Sequence, residues 1–382
     1  MKKSVSCLLI VIFAMTCVVV NEQQAAAEAD YLNMSWDDII AAAKEEGSLT
    51  FYAWWGEQFW KMAGEQFEQK YGIKTKIVIA DGSATMDKIL SEKNKEVGTI
   101  DAILIGGARV KVGMDAGVFY GPIQGIIPDA DKLDPKLSKV QEGVETKGYL
   151  VPIYRNQTGL LYNPDRVSNP PQTWEDLVAW IKANPKQFSF CDPTKGGSGQ
   201  AFVQMAINYL AGGLDKYYGD TELDPEKVKN WESVWNWMNE MEDLMTITGS
   251  NNESLTRLNE GEVSLAVAWD DDTFIALKKG TMMKQAKLYI PQMGLPGGGD
   301  SAGVIKNAKN KAAALLFIAY LIEPETQIQM NEILGSYLAR TDVTGKEAFL
   351  TEEERQKYGV EWIPAAYKNH FNNEFVKNVL MK

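Results

Sequence analysis

Strand signals alternate with helix signals from residue 49 to residue 105, and that alternation limits the fold more than any other feature. Leu49–Ala53, Lys74–Ala80 and Ile100–Ile105 read as short apolar strands separated by helical patterns at 58–71 and 84–95. On the first of these helices Phe59, Met62, Ala63, Phe67 and Tyr71 share one face. Such alternation predicts a parallel sheet with crossover helices. The strand ends then lie along one edge, where open α/β sheets bind ligands, and they carry Trp54, Trp55, Asp81, Ser83 and Gly107. Adjacent side chains on extended backbone point to opposite sides, so one of Trp54 and Trp55 is expected to face that edge and the other the core. Ser35 with Asp38 three residues on predicts a capped helix to about Glu46.

A second unit begins further along. Residues 113–146 are loop-rich, and Tyr149–Tyr162 then reads as one long extended segment. Pro170-Pro171, a capped helix at 173–183, a strand at 188–191 and a helix at 200–211 follow. The extended segment is therefore expected to pass between two lobes, with Tyr154, Arg155 and Asn156 midway. Arg155 either pairs with the carboxylates at 270–272, grips a ligand anion, or makes a structural ion pair. Glu226–Leu244 predicts a long helix whose Trp231, Val234, Trp235, Met238 and Met241 form a core stripe.

The run from Val263 is the most informative. Val263, Leu265 and Val267 alternate with small residues, which predicts a strand delivering Trp269, Asp270, Asp271 and Asp272 at its C-terminal end. Three adjacent carboxylates repel one another unless water or a cation compensates, and the face of Trp269 attracts cations. The alternative is that Asp272 caps a helix starting at Thr273 while the others face solvent. A strand at 287–290, a glycine-rich turn at 294–299, a strand at 302–305 and helices at 312–322 and 326–334 complete the pattern. Lys195–Gly199 before a helix offers either an anion site involving Ser198 or a turn capped by Ser198. It lacks the Lys-Ser/Thr pair of a nucleotide-binding loop.

Composition narrows the function classes. The chain of 382 residues carries a net charge of −12, which argues against nucleic-acid or anionic-membrane partners. Residues 1–27 read as a signal peptide: Lys2 and Lys3, an apolar run at 8–20, then Ala25-Ala26-Ala27. Cys17 raises a lipid anchor as a rival, although Ala14-Met15-Thr16 fits that processing signal poorly. No later stretch is apolar enough to span a bilayer. Beyond the leader only Cys191 remains, so no internal disulfide and no cysteine metal cluster is expected. His370 is the single histidine; it reads as a surface residue of a terminal helix and argues against zinc catalysis.

Together these residues resemble the ABC-transporter extracellular solute-binding proteins of the type II periplasmic-binding fold. The resemblance rests on Leu49–Gly56, on Val151-Pro-Ile-Tyr with Thr158–Asn163, on Leu258–Trp269, and on Ala302–Ile305 with Ala312–Ile318 and Glu323–Gln327. Tyr52-Ala-Trp and Lys70–Ile73 are most similar to the YnjB-like branch, near polyamine-, thiamine- and iron-binding members. The resemblance implies two α/β lobes with mixed sheets flanked by helices and a ligand cleft between them. Lobe one would hold 28–150 and 288–338, and lobe two 155–285 and 339–382. Hinge strands would lie near 151–162 and 287–290. It also implies a monomer in the periplasm that works with permease and ATPase subunits, without cofactor, metal or catalysis. By family position Trp54, Trp55, Asp81, Ser83, Gly107, Tyr154, Trp269 and Asp270 would line the cleft; Arg155, Ser198 and Asp271 are added from their own chemistry. Aromatic faces with carboxylates suit a polyamine or thiamine-like cation, or a zwitterion if the 196–198 loop binds an anion. A sugar is the main competitor, and a secreted glycosidase or an adhesive surface protein are the readings from other classes.

Overall fold

The strand β1 (Ser48–Ala53) lies between β2 (Lys74–Ile79) and β3 (Ala102–Ile105), all parallel, in a computed structural model that describes residues 30–346 and 349–382. The expected leader and Cys17 lie outside those residues. The helices of this unit are α1 (Trp36–Glu46), α2 (Glu57–Tyr71), α3 (Gly82–Glu92) and α4 (Arg109–Asp115). Ser35 Oγ accepts the Asp38 N–H at 3.2 Å, so α1 starts where the capping pattern puts it. A short helix α5 (Pro135–Lys139) and a small hairpin, β4 (Val140–Gln141) with β5 (Val144–Glu145), lead into the 12-residue β6 (Val151–Tyr162).

Next come α6 (Trp174–Ala183), β7 (Phe188–Cys191), α7 (Gly197–Leu210), α8 (Glu232–Met241), β8 (Met245–Thr248), α9 (Asn251–Asn259), β9 (Leu265–Trp269) and α10 (Asp270–Lys278). The rest is β10 (Lys287–Tyr289), β11 (Leu295–Val304), α11 (Lys311–Leu321), α12 (Pro324–Leu334), β12 (Tyr337–Leu338), α13 (Glu352–Tyr358), β13 (Gly359–Val360) and α14 (Ala365–Phe375). The main sheet has the order β2-β1-β3-β11-β6-β9-β7-β8. β11 runs antiparallel to both β3 and β6, and β6 antiparallel to β9.

Two hydrophobic clusters lie along this sheet. The first gathers Phe51, Phe59, Trp60, Phe67 and Phe317; the second gathers Phe188, Phe190, Phe202, Trp231 and Phe371. β6 belongs to both, with Val151 and Ile153 in the first and Leu160 and Leu161 in the second. β11 does the same in reverse, from Leu295 to Ala302 and Val304. These two strands are the crossing strands. In β7 the Cys191 side chain is fully buried, and burial pushes its thiol up to about 12.

The structure departs from the sequence expectations at four places. Residues 294–299 are not a turn: Gly297, Gly298 and Gly299 lie inside β11. Glycine is required there by close approach, since a Cβ on Gly299 would stand 2.0 Å from the Tyr154 carbonyl oxygen of β6. The returning crossing strand is accordingly β11, whereas the 287–290 segment pairs with the far end of β6 and puts Leu288 in the second cluster. The long helix at 226–244 shrinks to α8 flanked by 3-10 turns, and Asp224 Oδ1 accepts the Glu226 N–H at 2.9 Å in a turn ahead of them. The buried stripe of Trp231, Val234, Trp235, Met238 and Met241 is kept. His370 is half-buried rather than on the surface, with its ring 5.5 Å from that of Trp231.

Candidate ligand site between the two cores

The site has a floor made by the crossing strands. Asp300 of β11 opposes Tyr154 of β6, and Gly298 opposes Asn156. Directly opposed residues project from the same face of a ladder, and alternate residues share that face. Tyr154, Asn156, Gly298 and Asp300 therefore form one surface.

From the first core, the loop after β1 lays two indoles on this surface. Trp54 Nε1 donates to Asp300 Oδ2 at 2.9 Å, and Trp55 Nε1 donates to the Tyr154 hydroxyl at 2.6 Å. The Tyr154 hydroxyl in turn donates to Asp300 Oδ2. The result is a chain of neutral donors ending on one carboxylate. Burial raises the pKa of Asp300, against the opposing pull of Tyr154, Arg109 and Trp54. Tyr154 is pushed far above its ordinary value by burial and by the Asp300 charge. Arg109, at the start of α4, stacks its guanidinium 5.2 Å from the Trp54 ring centre. Trp54 remains 39 % exposed, so part of its ring faces solvent beside this network.

From the second core comes the acidic first turn of α10. The helix begins at Asp270, not at Thr273, so the three aspartates occupy its first turn. They stand where the helix dipole favours negative charge. Asp270 Oδ1 accepts the N–H groups of Gln157 and Asp271 at 3.0 and 2.9 Å, while its buried Oδ2 has no hydrogen-bond partner. Asp271 accepts from Asn156 Nδ2 at 3.2 Å and from the Asp272 N–H at 2.8 Å. Burial pushes Asp270 up to about 7 and Asp272 up to about 6. Asp271 goes well above its ordinary value through burial and the charges on either side. Asn156 thus links the floor to the acidic turn, as Tyr154 links it to the indoles.

Trp269, half-buried at the end of β9, packs against Gly197 and lies 6.2 Å, ring to ring, from Trp362. Trp362 covers Gly298 on the floor. Across the two cores, Glu142 of the β4–β5 hairpin pairs with Lys368 of α14, and Lys111 of α4 pairs with Glu222 at 3.1 Å. Among the described residues, no group of three or more His, Cys, Asp or Glu is placed to hold a metal ion. No described helix is long and apolar enough to cross a membrane.

Comparison with known proteins decides the family. The sequence profile described as "Bacterial extracellular solute-binding protein" matches residues 62–357, most of the chain. The chain belongs to this family of bacterial extracellular solute-binding proteins. One relative is the spermidine/putrescine-binding periplasmic protein of Escherichia coli K12, 27% identical over 312 residues, covering 81% of each chain. Another is a maltooligosaccharide ABC transporter solute-binding lipoprotein of Streptococcus pneumoniae, 25% identical, covering 81% of this chain and 77% of that one. Among solved structures, a spermidine/putrescine ABC transporter substrate-binding protein of Streptococcus pneumoniae superposes with a TM-score of 0.68. It is 16% identical and covers 87% of this chain and 98% of that chain, which shows a shared fold. Both clusters and both crossing strands are the two-lobed architecture of ABC substrate-binding proteins, with mixed sheets flanked by helices.

Within this solute-binding protein the sequence-selected residues fall into two groups. Trp54, Trp55, Tyr154, Trp269, Asp270 and Asp271 gather around the crossing strands. Trp54 and Trp55 divide in part: Trp54 stays exposed and Trp55 packs against the first core, yet both indole N–H groups reach the same tyrosine–carboxylate pair. Asp81 instead caps α3, accepting the Ala84 N–H at 2.8 Å, and Ser83 is exposed in the first turn of that helix. Gly107 sits at φ +63 with open space at its Cβ position.

Arg155 makes a structural ion pair and does not pair with the carboxylates at 270–272. It projects from the opposite face of β6 and meets Asp134 at 3.5 Å, Glu352 at 3.1 Å and the Leu338 carbonyl at 2.8 Å. The alternation of β6 fixes this, since Tyr154 and Asn156 take the other face. Ser198 does not cap α7, whose N-cap is Gly196: its hydroxyl and its N–H both donate to Asn251 Oδ1, at 2.8 and 3.3 Å, and it is fully buried. Asn156 was placed midway along the crossing segment without a role, and Asp300, Arg109, Glu142, Trp362 and Lys368 were not selected from sequence. For Asp300 a signal existed: a glycine run followed by a carboxylate, opposite a tyrosine in a paired strand.

Proposed function

We propose that this protein captures a small aliphatic polyamine between its lobes and delivers it to a membrane permease in the periplasm. The lobes are built around the first and the second hydrophobic cluster, and they close about β6 and β11. The observation that carries the reading is that Asp300 and Asp271 are buried with neutral donors on their oxygens. A buried carboxylate held by neutral hydrogen-bond donors is costly, and an ammonium group supplies charge beyond the pull of Arg109 on Asp300. The indoles of Trp54, Trp55 and Trp269 offer flat surfaces to the methylenes between ammonium groups and cation–π contact to the groups themselves. The spermidine and putrescine relatives support the same class. A zwitterion fits less well, because the Ser198 N–H at the start of α7 is already taken by Asn251. The protein works as a monomer and releases its ligand unchanged.

A carbohydrate is the second reading, favoured by the maltooligosaccharide-binding relative and by the same indole faces. Thermal unfolding and calorimetry with putrescine, spermidine, thiamine and maltotriose separate the two. A ligand at 100 times its dissociation constant adds about 2.7 kcal/mol of stability. Putrescine or spermidine is expected to give that shift, and Trp269→Ala and Asp270→Asn to remove it without unfolding the protein. A shift with maltotriose alone overturns the polyamine reading.

A further inference from the structure

Lys368 stands out because it already occupies a seat of the kind a ligand ammonium needs. Its Nζ lies 4.0 Å from the Trp362 ring centre and pairs with the Glu142 carboxylate. Both side chains are nearly buried, at 4% and 9% exposed. Trp362 covers Gly298 on the floor and neighbours Trp269, and the Glu142 charge reaches Asp300. This aromatic–carboxylate pair therefore belongs to the same surface as Asp300 and Asp271. The difference is in the partners: neutral donors hold Asp300 and Asp271, whereas Glu142 is cancelled by a lysine.

We infer that Lys368 is a tethered occupant of a third ammonium seat, and that it limits the ligand to two ammonium groups. The inference rests on the polyamine reading and deepens it to a diamine. Two carboxylate positions, Asp300 on the floor and the Asp270–Asp271 turn of α10, match two cationic ends. A third cation meets a filled seat, where displacing Lys368 leaves a second buried ammonium unpaired. The tether also explains why a lysine, with its long apolar stem, is tolerated so deep: the stem packs while the charge is paired.

The test uses the full mature chain and its Lys368→Ala variant, titrated with putrescine and with spermidine. The wild type is expected to prefer putrescine. The variant is expected to shift the affinity ratio toward spermidine by at least about tenfold. Ethylammonium in the buffer is expected to raise the melting temperature of the variant by more than that of the wild type. The second variant, Lys368→Ala with Glu142→Gln, leaves no buried charge unpaired, so it folds and gains neither response. An unchanged ratio in Lys368→Ala, or equal gains in the double variant, overturns the inference and reduces Lys368 to a structural ion pair. A wild type that binds neither amine overturns the polyamine reading and the diamine limit with it. The ethylammonium response then reports on the seat alone.

Discussion

Proton release on ligand capture tests the role of the acidic turn most directly. Burial holds Asp270 at about 7, opposed by the N–H groups of Gln157 and Asp271 and by the charge of Arg355. Asp271 and Asp272 are raised as well, so the three carboxyls titrate as one cluster rather than singly. An aliphatic ammonium, with a pKa of about 10, keeps its charge across this range. Binding it favours the ionised carboxylate, so affinity falls as pH falls below about 7. If one ionised carboxylate at pKa about 7 is required, going from about pH 7.5 to about pH 5.5 weakens binding about 25-fold, or about 1.9 kcal/mol. Isothermal titration of putrescine in two buffers of different ionisation enthalpy measures both quantities. Between those pH values the enthalpies are expected to differ, with a slope showing protons leaving the protein. Equal affinity at both pH values, with no buffer dependence of the enthalpy, would refute the assignment of Asp270 to the ligand.

The same group makes a prediction for the empty protein. Its folded pKa lies above its unfolded value of 3.8, so stability is lost as pH rises from about 4 to about 7 and stays lower above that. Asp270→Asn is expected to raise unfolding stability at pH 8 by on the order of 2 kcal/mol, measured by denaturant titration, while weakening amine binding. Tyr154→Phe removes the hydroxyl that joins Trp55 to Asp300; stability is expected to fall by about 1–2 kcal/mol and ligand affinity to fall with it, both read by thermal shift. Gly299→Ala places a Cβ 2.0 Å from the Tyr154 carbonyl and is expected to cost about 3 kcal/mol or more, or to prevent soluble expression.

Most of the first lobe was legible because its strands and helices obey local rules. The apolar alternation of Leu49–Ala53 and the cap at Ser35 act within a few residues of where they are read. The glycine run at 297–299 was misread for the opposite reason. Glycine next to glycine signals a turn when seen alone, yet here it answers to a strand more than a hundred residues away. The acidic run was recognised as chemically costly, but its place in the first turn of α10 depends on Gln157 and Asn156 receiving it. Arg155 shows the limit of reading one strand without its face: a shift of one residue along β6 reverses what a side chain meets. Trp362 and Lys368 lie in one C-terminal stretch, but nothing in the sequence connects them to Glu142. Only the packing of the hairpin against α14 brings them together.

Thiol reagents attack the thiolate, and Cys191 is both fully buried and held at about 12. In a protein expressed from residue 28 onward, that is the one sulfhydryl in the sequence, and at neutral pH it is expected to stay silent toward maleimides. A cysteine introduced at exposed Glu222, opposite Lys111 on the other lobe, can therefore be labelled alone with an environment-sensitive dye. The folded protein is thus ready-made for conversion into an optical sensor of its own solute.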